Sequence, residues 1–309
     1  MDYENFVTEF MSELKEHMPE YVDIERRQII RTNEILDAIG INYKASELSP
    51  VVYLKNKYAS YLDGMAVSDI AVQTAEHLKN IRAKELPRPT LTREQVKENL
   101  YLVLVNYEKN VNMLKNVPYE RLGDLAVVPR IKVFDKEESR GSMLADYNTC
   151  AYIGMMPDEV MAAAHENTNH QDVIIRPLDN LVSDLLNEAG IDNDSMNDLI
   201  YDRDRLYIMT NPSTLDGAVY ITSPDAMDKA YKTVGSDFYI LPSSRHEVIM
   251  ISKFNSMGLD TLKEMVKEAN EFAVNTQDFL SNNVYEYSGR TKKITVAGDN
   301  IAKEKTHGR

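Results

Sequence analysis

The sequence predicts an α+β protein, with mixed sheets carrying helices on one face. Apolar residues recur every four positions near the start, the period of a helix. Short runs rich in β-branched and aromatic residues mark strands. Two stretches in the second half repeat one order of strand-like and helix-like segments.

Residues 3–19 carry Phe6, Phe10, Leu14 and Met18 on one helical face, with Glu9, Glu13 and Glu16 between them. Residues 21–31 and 36–44 are strand-like and flank Thr32-Asn33-Glu34, which reads as a hairpin turn. Val51-Val52-Tyr53-Leu54 follows Pro50 as a third strand. Helical spacing returns over 66–83 through Ile70, Ala71, Ala75 and Leu78. Residues 1–86 therefore form a predicted α-β-β-β-α subdomain. Leu86-Pro87-Arg88-Pro89 is the expected joint, because two prolines stiffen the chain and disfavour helix.

Residues 91–116 are expected to be mostly helical, with Thr92 as N-cap and Glu94 and Gln95 in the first turn. The run Leu100-Tyr101-Leu102-Val103-Leu104-Val105 also fits a buried strand, and periodicity does not separate the two. Near the end, 259–273 is helical by its spacing, with Leu262, Met265, Val266, Ala269 and Phe272 on one face. Residues 284–287 and 293–296 flank Ser288-Gly289-Arg290 as a terminal hairpin. The polar tail from 298 to 309 is expected to fray.

The repeated stretches span about 125–177 and 206–242. The first holds Tyr152-Ile153, Pro157-Asp158, and Asp172-Val173-Ile174-Ile175-Arg176-Pro177. The second holds Tyr220-Ile221, Pro224-Asp225, and Asp237-Phe238-Tyr239-Ile240-Leu241-Pro242. Read as a strand ending in Tyr-Ile, a Pro-Asp helix start and a closing strand, preceded by another strand, each is a β-β-α-β unit. Pro suits a first helical turn, where its missing N–H has no partner to lose, and Asp favours the positive end of the helix dipole. A duplicated α+β domain over 91–297 follows, with a groove between the units as the default ligand or partner site.

Composition excludes several classes. The chain has 309 residues, 49 acidic against 35 basic, and a formal charge of −14. That balance argues against a general nucleic-acid binder, whose phosphate contacts need Lys and Arg. It permits a basic protein partner. The single cysteine, Cys150, precludes an intrachain disulfide and suits a reducing compartment. The opening Met1-Asp2-Tyr3-Glu4 is acidic where a signal peptide is basic, and no apolar run approaches a membrane span. A cytoplasmic address without membrane contact is expected. Tyr101, Tyr107, Tyr119, Tyr147 and Tyr152 suit either an interface or half-buried positions.

The candidate catalytic residues are Ser243, Ser244, His246 and Glu247, within Pro242-Ser243-Ser244-Arg245-His246-Glu247. Hydroxyls, an imidazole and a carboxylate supply the parts of a nucleophile and its base. Neighbours in sequence rarely face one another as a triad needs, and the same residues suit a turn between strands. His165-Glu166-Asn167-Thr168-Asn169-His170 resembles a zinc-protease helix, but its histidines are five apart rather than four. A helix C-terminus, with His165 near the negative end of the dipole, is the simpler reading. Asp192-Asn193-Asp194-Ser195-Met196-Asn197-Asp198 lacks the central glycine and closing glutamate of an EF-hand. There is no Walker A run and no Gly-x-Gly-x-x-Gly. Neither a cofactor nor a metal is expected, and Cys150 reads as a small buried hydrophobe.

The block Tyr239-Ile240-Leu241-Pro242-Ser243-Ser244, with His246-Glu247-Val248 beyond it, resembles an uncharacterised bacterial family known only as a domain of unknown function. Asn211, Gly217-Ala218, Lys263-Glu264-Met265-Val266 and Val284-Tyr285 continue the match. So do Asn106-Tyr107-Glu108-Lys109-Asn110, Asp124-Leu125-Ala126-Val127-Val128 and Glu166-Asn167-Thr168. The resemblance covers about 95–287. It implies a cytoplasmic protein often carried by mobile elements of gut bacteria, and it implies no established reaction. Arg245 departs from the pattern, which has an apolar residue there, commonly Ile. A non-enzymatic accessory or interaction protein is the leading expectation. A hydrolase using Ser243 or Ser244, and an acidic decoy that mimics nucleic acid, are the alternatives.

Overall fold

The computed structural model describes residues 1–43, 50–82, 92–136, 139–179 and 204–298. The proposed joint at 86–89, the acidic run at 192–198 and the tail beyond Gly298 lie outside the described residues. The chain divides into two compact units, Met1–Thr90 and Leu91–Arg309.

The first unit begins with helix α1 (Tyr3–Glu16), whose Phe6, Val7, Phe10 and Leu14 are buried. Asp2 caps it by accepting a hydrogen bond from the Asn5 N–H at 2.9 Å. Strands β1 (Val22–Arg31) and β2 (Glu34–Tyr43) pair antiparallel from Val22↔Tyr43 to Arg31↔Glu34. The two-residue loop needs a left-handed residue, and Asn33 supplies it at φ 65°. Strand β3 (Val51–Tyr53) joins the other edge of β2. Helices α2 (Leu54–Leu62) and α3 (Val67–Arg82) complete the unit. The sequence reading passed over α2, although Leu54, Tyr58 and Tyr61 follow helical spacing and pack into the core. Ile24, Ile39, Ile41, Tyr43 and Val52 meet all three helices, so in this unit the helices do cover one face.

An ion cluster ties α1 to this sheet. Arg26 reaches Asp37 at 2.6 Å and Glu4 at 2.7 Å, and the Tyr3 hydroxyl donates to Asp37 at 2.8 Å. The Arg26 guanidinium holds both carboxyls below their ordinary range. Burial, and then the Asp37 carboxylate, push the Tyr3 phenol up to about 12.

Among its described residues the second unit holds two sheets. Helix α4 (Arg93–Asn99) starts at Thr92, whose hydroxyl accepts from the Gln95 N–H while the Gln95 side chain accepts from the Thr92 N–H. The apolar run that follows is strand β4 (Leu100–Asn106), not a continued helix. Leu100, Leu102 and Leu104 enter one core while Val103 and Val105 enter another, a two-sided burial that a strand provides and an amphipathic helix does not. A short helix α5 (Val111–Leu114), then β5 (Glu120–Leu122), β6 (Leu125–Lys136) and β7 (Ser139–Leu144) follow. Strand β6 pairs with β4, β5 and β7 in a four-stranded sheet.

Helices α6 (Tyr147–Ile153) and α7 (Pro157–Asn169) lead to strand β8 (Ile174–Pro177). Strand β9 (Leu206–Thr210), a 3-10 segment (Gly217–Thr222), helix α8 (Pro224–Val234) and strands β10 (Phe238–Leu241) and β11 (Val248–Ser252) come next. Helix α9 (Gly258–Phe272) and the hairpin of β12 (Tyr285–Ser288) and β13 (Lys293–Val296) close the unit. These strands form a six-stranded sheet in the order β13-β12-β10-β11-β9-β8.

The class is α+β, and three finer expectations change. Every strand pair among the described residues is antiparallel rather than mixed. Helices of the second unit lie on both faces of its sheets. α6, α7, α8 and the 3-10 segment share one core with both sheets, while α5 covers the far face of the four-stranded sheet and α9 that of the six-stranded one. Strands such as β4, β10 and β11 are apolar on both sides, so both sides need cover.

The duplication does not appear as two equivalent units. Tyr152-Ile153 ends α6, and Tyr220-Ile221 lies in the 3-10 segment, so neither pair is a strand. In the first stretch β6 and β8 belong to different sheets, whereas β9 and β10 share one. What both stretches keep is local: a Pro at the helix start with Asp beside it, on α7 and α8. Cys150, read as a small buried hydrophobe, is buried within α6, where burial pushes its thiol up. One smaller reading changes. Phe272, placed on the buried stripe of α9, is 86% exposed at the helix end, while Leu262 and Val266 are buried.

The two sheets are joined at one polar point. The β5–β6 loop is Gly123-Asp124, and Gly123 has φ 61°. Tyr285, fully buried on β12, donates its phenol to the Asp124 carboxylate. Ser281 donates to the other carboxylate oxygen at 2.7 Å, and the Asn106 amide donates to the Leu280 carbonyl at 2.7 Å. A Cβ on Gly123 would lie 2.6 Å from the Tyr285 hydroxyl, so close approach and backbone both demand glycine.

Two outcomes are expected. Tyr285→Phe leaves the half-buried Asp124 carboxylate short of a donor and should cost about 1.5 kcal/mol in urea denaturation. The depressed Asp37 carboxyl contributes stability above the unfolded carboxyl pKa, and this is lost as pH falls through its folded value. The denaturation midpoint should therefore drop below about pH 4, and Asp37→Asn should flatten part of that dependence.

Candidate functional site

The chain from Pro242 to Glu247 connects β10 to β11, and its backbone is held from two sides. On one side runs the segment 278–281. Leu280 N–H donates to the Ser243 carbonyl at 3.1 Å, Ser281 N–H to that of Pro242 at 3.1 Å, and Arg245 N–H to that of Asp278 at 2.8 Å. On the other side, Gly217 and Ala218 donate to the carbonyls of His246 and Arg245 at 3.0 and 3.1 Å. The Thr210 hydroxyl adds a second bond to the His246 carbonyl at 2.9 Å. Gly217 is required here by space: a Cβ would lie 2.6 Å from the His246 carbonyl oxygen.

The side chains follow the same pattern. Ser244 is buried and its hydroxyl accepts from the His246 N–H at 3.0 Å, a local turn bond. The His246 ring accepts at Nδ1 from the Asp216 N–H at 3.2 Å. Its proton therefore sits on Nε2, which faces an Asp278 carboxylate oxygen at 3.1 Å. Both ring nitrogens are engaged, and neither partner is a serine hydroxyl. Ser243 and Glu247 are half-buried, and among the described residues neither side chain makes a hydrogen bond or ion pair. The structure thus brings Ser244 to the His246 backbone and not to its ring.

Arg245 neither points into an apolar core nor snorkels to open solvent. Its Nε donates to Asp216 at 2.7 Å, and a second nitrogen reaches the same oxygen at 2.5 Å. The two side chains are 20% and 12% exposed. Asp216 holds this position with a left-handed backbone, φ 59°, as does Thr214 at φ 53°. Asn211 stabilises that loop. Its amide donates to the Leu215 carbonyl at 2.8 Å, and its oxygen accepts from the Leu215 N–H and the Ser213 hydroxyl.

A cavity of about 220 Å³ opens beside the Arg245–Asp216 pair. Tyr101 and Lys132 from the four-stranded sheet line it, with Gln171, Asn211 and Ser213. A second hollow of about 470 Å³ lies between the two sheets, floored by Leu122, Val127, Ile221 and Met227. His165 and Glu120 meet at its rim at 3.0 Å, so His165 pairs with a strand carboxylate, and the helix end falls to His170. Among the described residues no group of three or more His, Cys, Asp or Glu could hold a metal ion. No described helix is long and apolar enough to cross a membrane.

Sequence reasoning missed Asp216 and Asp278, the partners of Arg245 and His246, along with Lys132 and Gln171. The acids stand in polar loops remote in sequence from the block, where spacing carries no signal. Asn211 and Gly217-Ala218 were already among the residues of the resemblance, and the structure gathers them around Pro242–Glu247.

A family model matches residues 3–289. The chain belongs to a family of unknown function, DUF5688. The match takes in the first unit as well as the second, so it reaches beyond the 95–287 span of the resemblance. No curated protein and no solved structure matches the chain.

Gly217→Ala is expected to displace the His246 carbonyl and lower stability by about 1–3 kcal/mol in urea denaturation, the usual cost of overpacking.

Proposed function

We propose that this DUF5688 protein is a non-enzymatic accessory or protein-interaction protein of the bacterial cytoplasm, serving a mobile element. One observation carries the non-enzymatic part. The His246 imidazole is held at both nitrogens by Asp216 and Asp278, away from the hydroxyls of Ser243 and Ser244. A serine nucleophile needs a base within hydrogen-bond reach to take its proton. The Ser244 hydroxyl instead accepts from a backbone N–H in its own turn. The formal charge of −14 supports a basic protein partner, and the single cysteine suits a reducing compartment. The mobile-element setting rests on the resemblance alone.

The test has two arms. A fluorophosphonate probe should leave Ser243 and Ser244 unlabelled, and the wild type and Ser244→Ala should react alike. Labelling at either serine that disappears in His246→Ala would establish the hydrolase instead. In the second arm, tagged protein is captured from its native cells at low and high salt. A stoichiometric partner that rebinds when the purified proteins are mixed is the expected result, with binding weakened by salt if the partner is basic.

A further inference from the structure

The cavity beside Arg245 has a charge and a donor pattern of its own. Three ionic side chains line it: Lys132, Arg245 and Asp216. The Arg245–Asp216 pair cancels, which leaves the Lys132 ammonium as the uncompensated charge. Among the described residues Lys132 forms no hydrogen bond or ion pair; its ammonium lies 5.7 Å from the centre of the Tyr101 ring. This is unusual company for a lone lysine in a chain with fourteen surplus negative charges.

Gln171 adds a second donor without a protein partner. Its oxygen accepts from the Tyr220 hydroxyl at 2.8 Å, which fixes the amide so that the NH₂ group is the end left over. That NH₂ has no acceptor among the described residues, and Gln171 lines the cavity. Asn211, by contrast, is satisfied within its own loop. The cavity therefore offers one positive charge and one amide donor, with Leu102, Leu215 and Val219 as apolar wall.

We propose that this cavity binds a small organic monocarboxylate, with its carboxylate between the Lys132 ammonium and the Gln171 amide. The lining side chains carry a net +1, which suits a monoanion. A phosphate monoester, near −2, would keep about one charge without a partner in a partly buried site. A volume of about 220 Å³ equals the share of about seven waters, so the acid is small. The site is independent of the protein-partner reading above, and neither result decides the other.

The test reads Lys132 directly. Protein with ¹³C-methylated lysines keeps its charges, and the Lys132 signal is assigned by its absence in Lys132→Arg. Titration uses 2-hydroxybutyrate, its uncharged amide, and inorganic phosphate. A saturable shift of the Lys132 signal with the acid is expected, at least tenfold weaker with the amide and with phosphate. Gln171→Met, which keeps the side chain's length and removes its amide, should weaken the acid's effect several-fold. The proposal is overturned if the Lys132 signal does not saturate, or moves no more than those of surface lysines. It is equally overturned if amide or phosphate matches the acid.

Discussion

The second unit depends on one half-buried carboxylate. Asp124 sits at the tip of a two-residue hairpin on one sheet and receives hydrogen bonds from Tyr285 and Ser281, 161 and 157 residues away. A carboxylate partly withdrawn from water needs donors in place of the lost solvent, and here two hydroxyls supply them. Burial, and then the Asp124 charge, push the Tyr285 phenol far up, so it remains a proton donor at any physiological pH. Fixing Tyr285 fixes the chain that leads into it, residues 278–284. Lys109 reinforces that placement, with its ammonium 5.0 Å from the Phe279 ring centre.

That segment then positions the Pro242–Glu247 block. Its backbone pairs with Pro242, Ser243 and Arg245, and its Asp278 takes the His246 ring. The residues that look catalytic in sequence are thus the last links in a chain of polar satisfaction that begins at Asp124. A half-buried strand connection must find a partner for each N–H and carbonyl it withdraws from water. Proline, serine and histidine serve that need well: proline has no N–H to satisfy, serine closes its own turn, and histidine accepts at one nitrogen and donates at the other.

The sequence made some of this legible and hid the rest for physical reasons. Helix α1, the Asn33 hairpin, the Thr92 cap and the Pro-Asp starts of α7 and α8 were readable, because each is decided within four or five neighbouring residues. Strand β4 was ambiguous because burial on both faces erases the alternation that identifies a strand. The Tyr-Ile pairs misled for a related reason: a buried apolar dipeptide says nothing about whether its backbone is extended or turned. The site itself was half legible. Its hydroxyls and imidazole lie in one run, but what they do is decided by Asp216 and Asp278, which only tertiary structure brings there.

Arg245 shows how one substitution can change the character of a wall. The resemblance implies an apolar residue here, commonly Ile, which would bring no charge to the cavity. With Arg245, Asp216 has a partner at hydrogen-bond distance, and the pair is neutral. Without it, the Asp216 carboxylate and the Lys132 ammonium would line the cavity together and offset one another. The arginine therefore does more than occupy the position: it removes Asp216 from competition and leaves Lys132 as the uncancelled charge. On this argument an apolar residue at position 245 would give a cavity of zero net charge, and a preference for neutral or zwitterionic ligands in place of an acid.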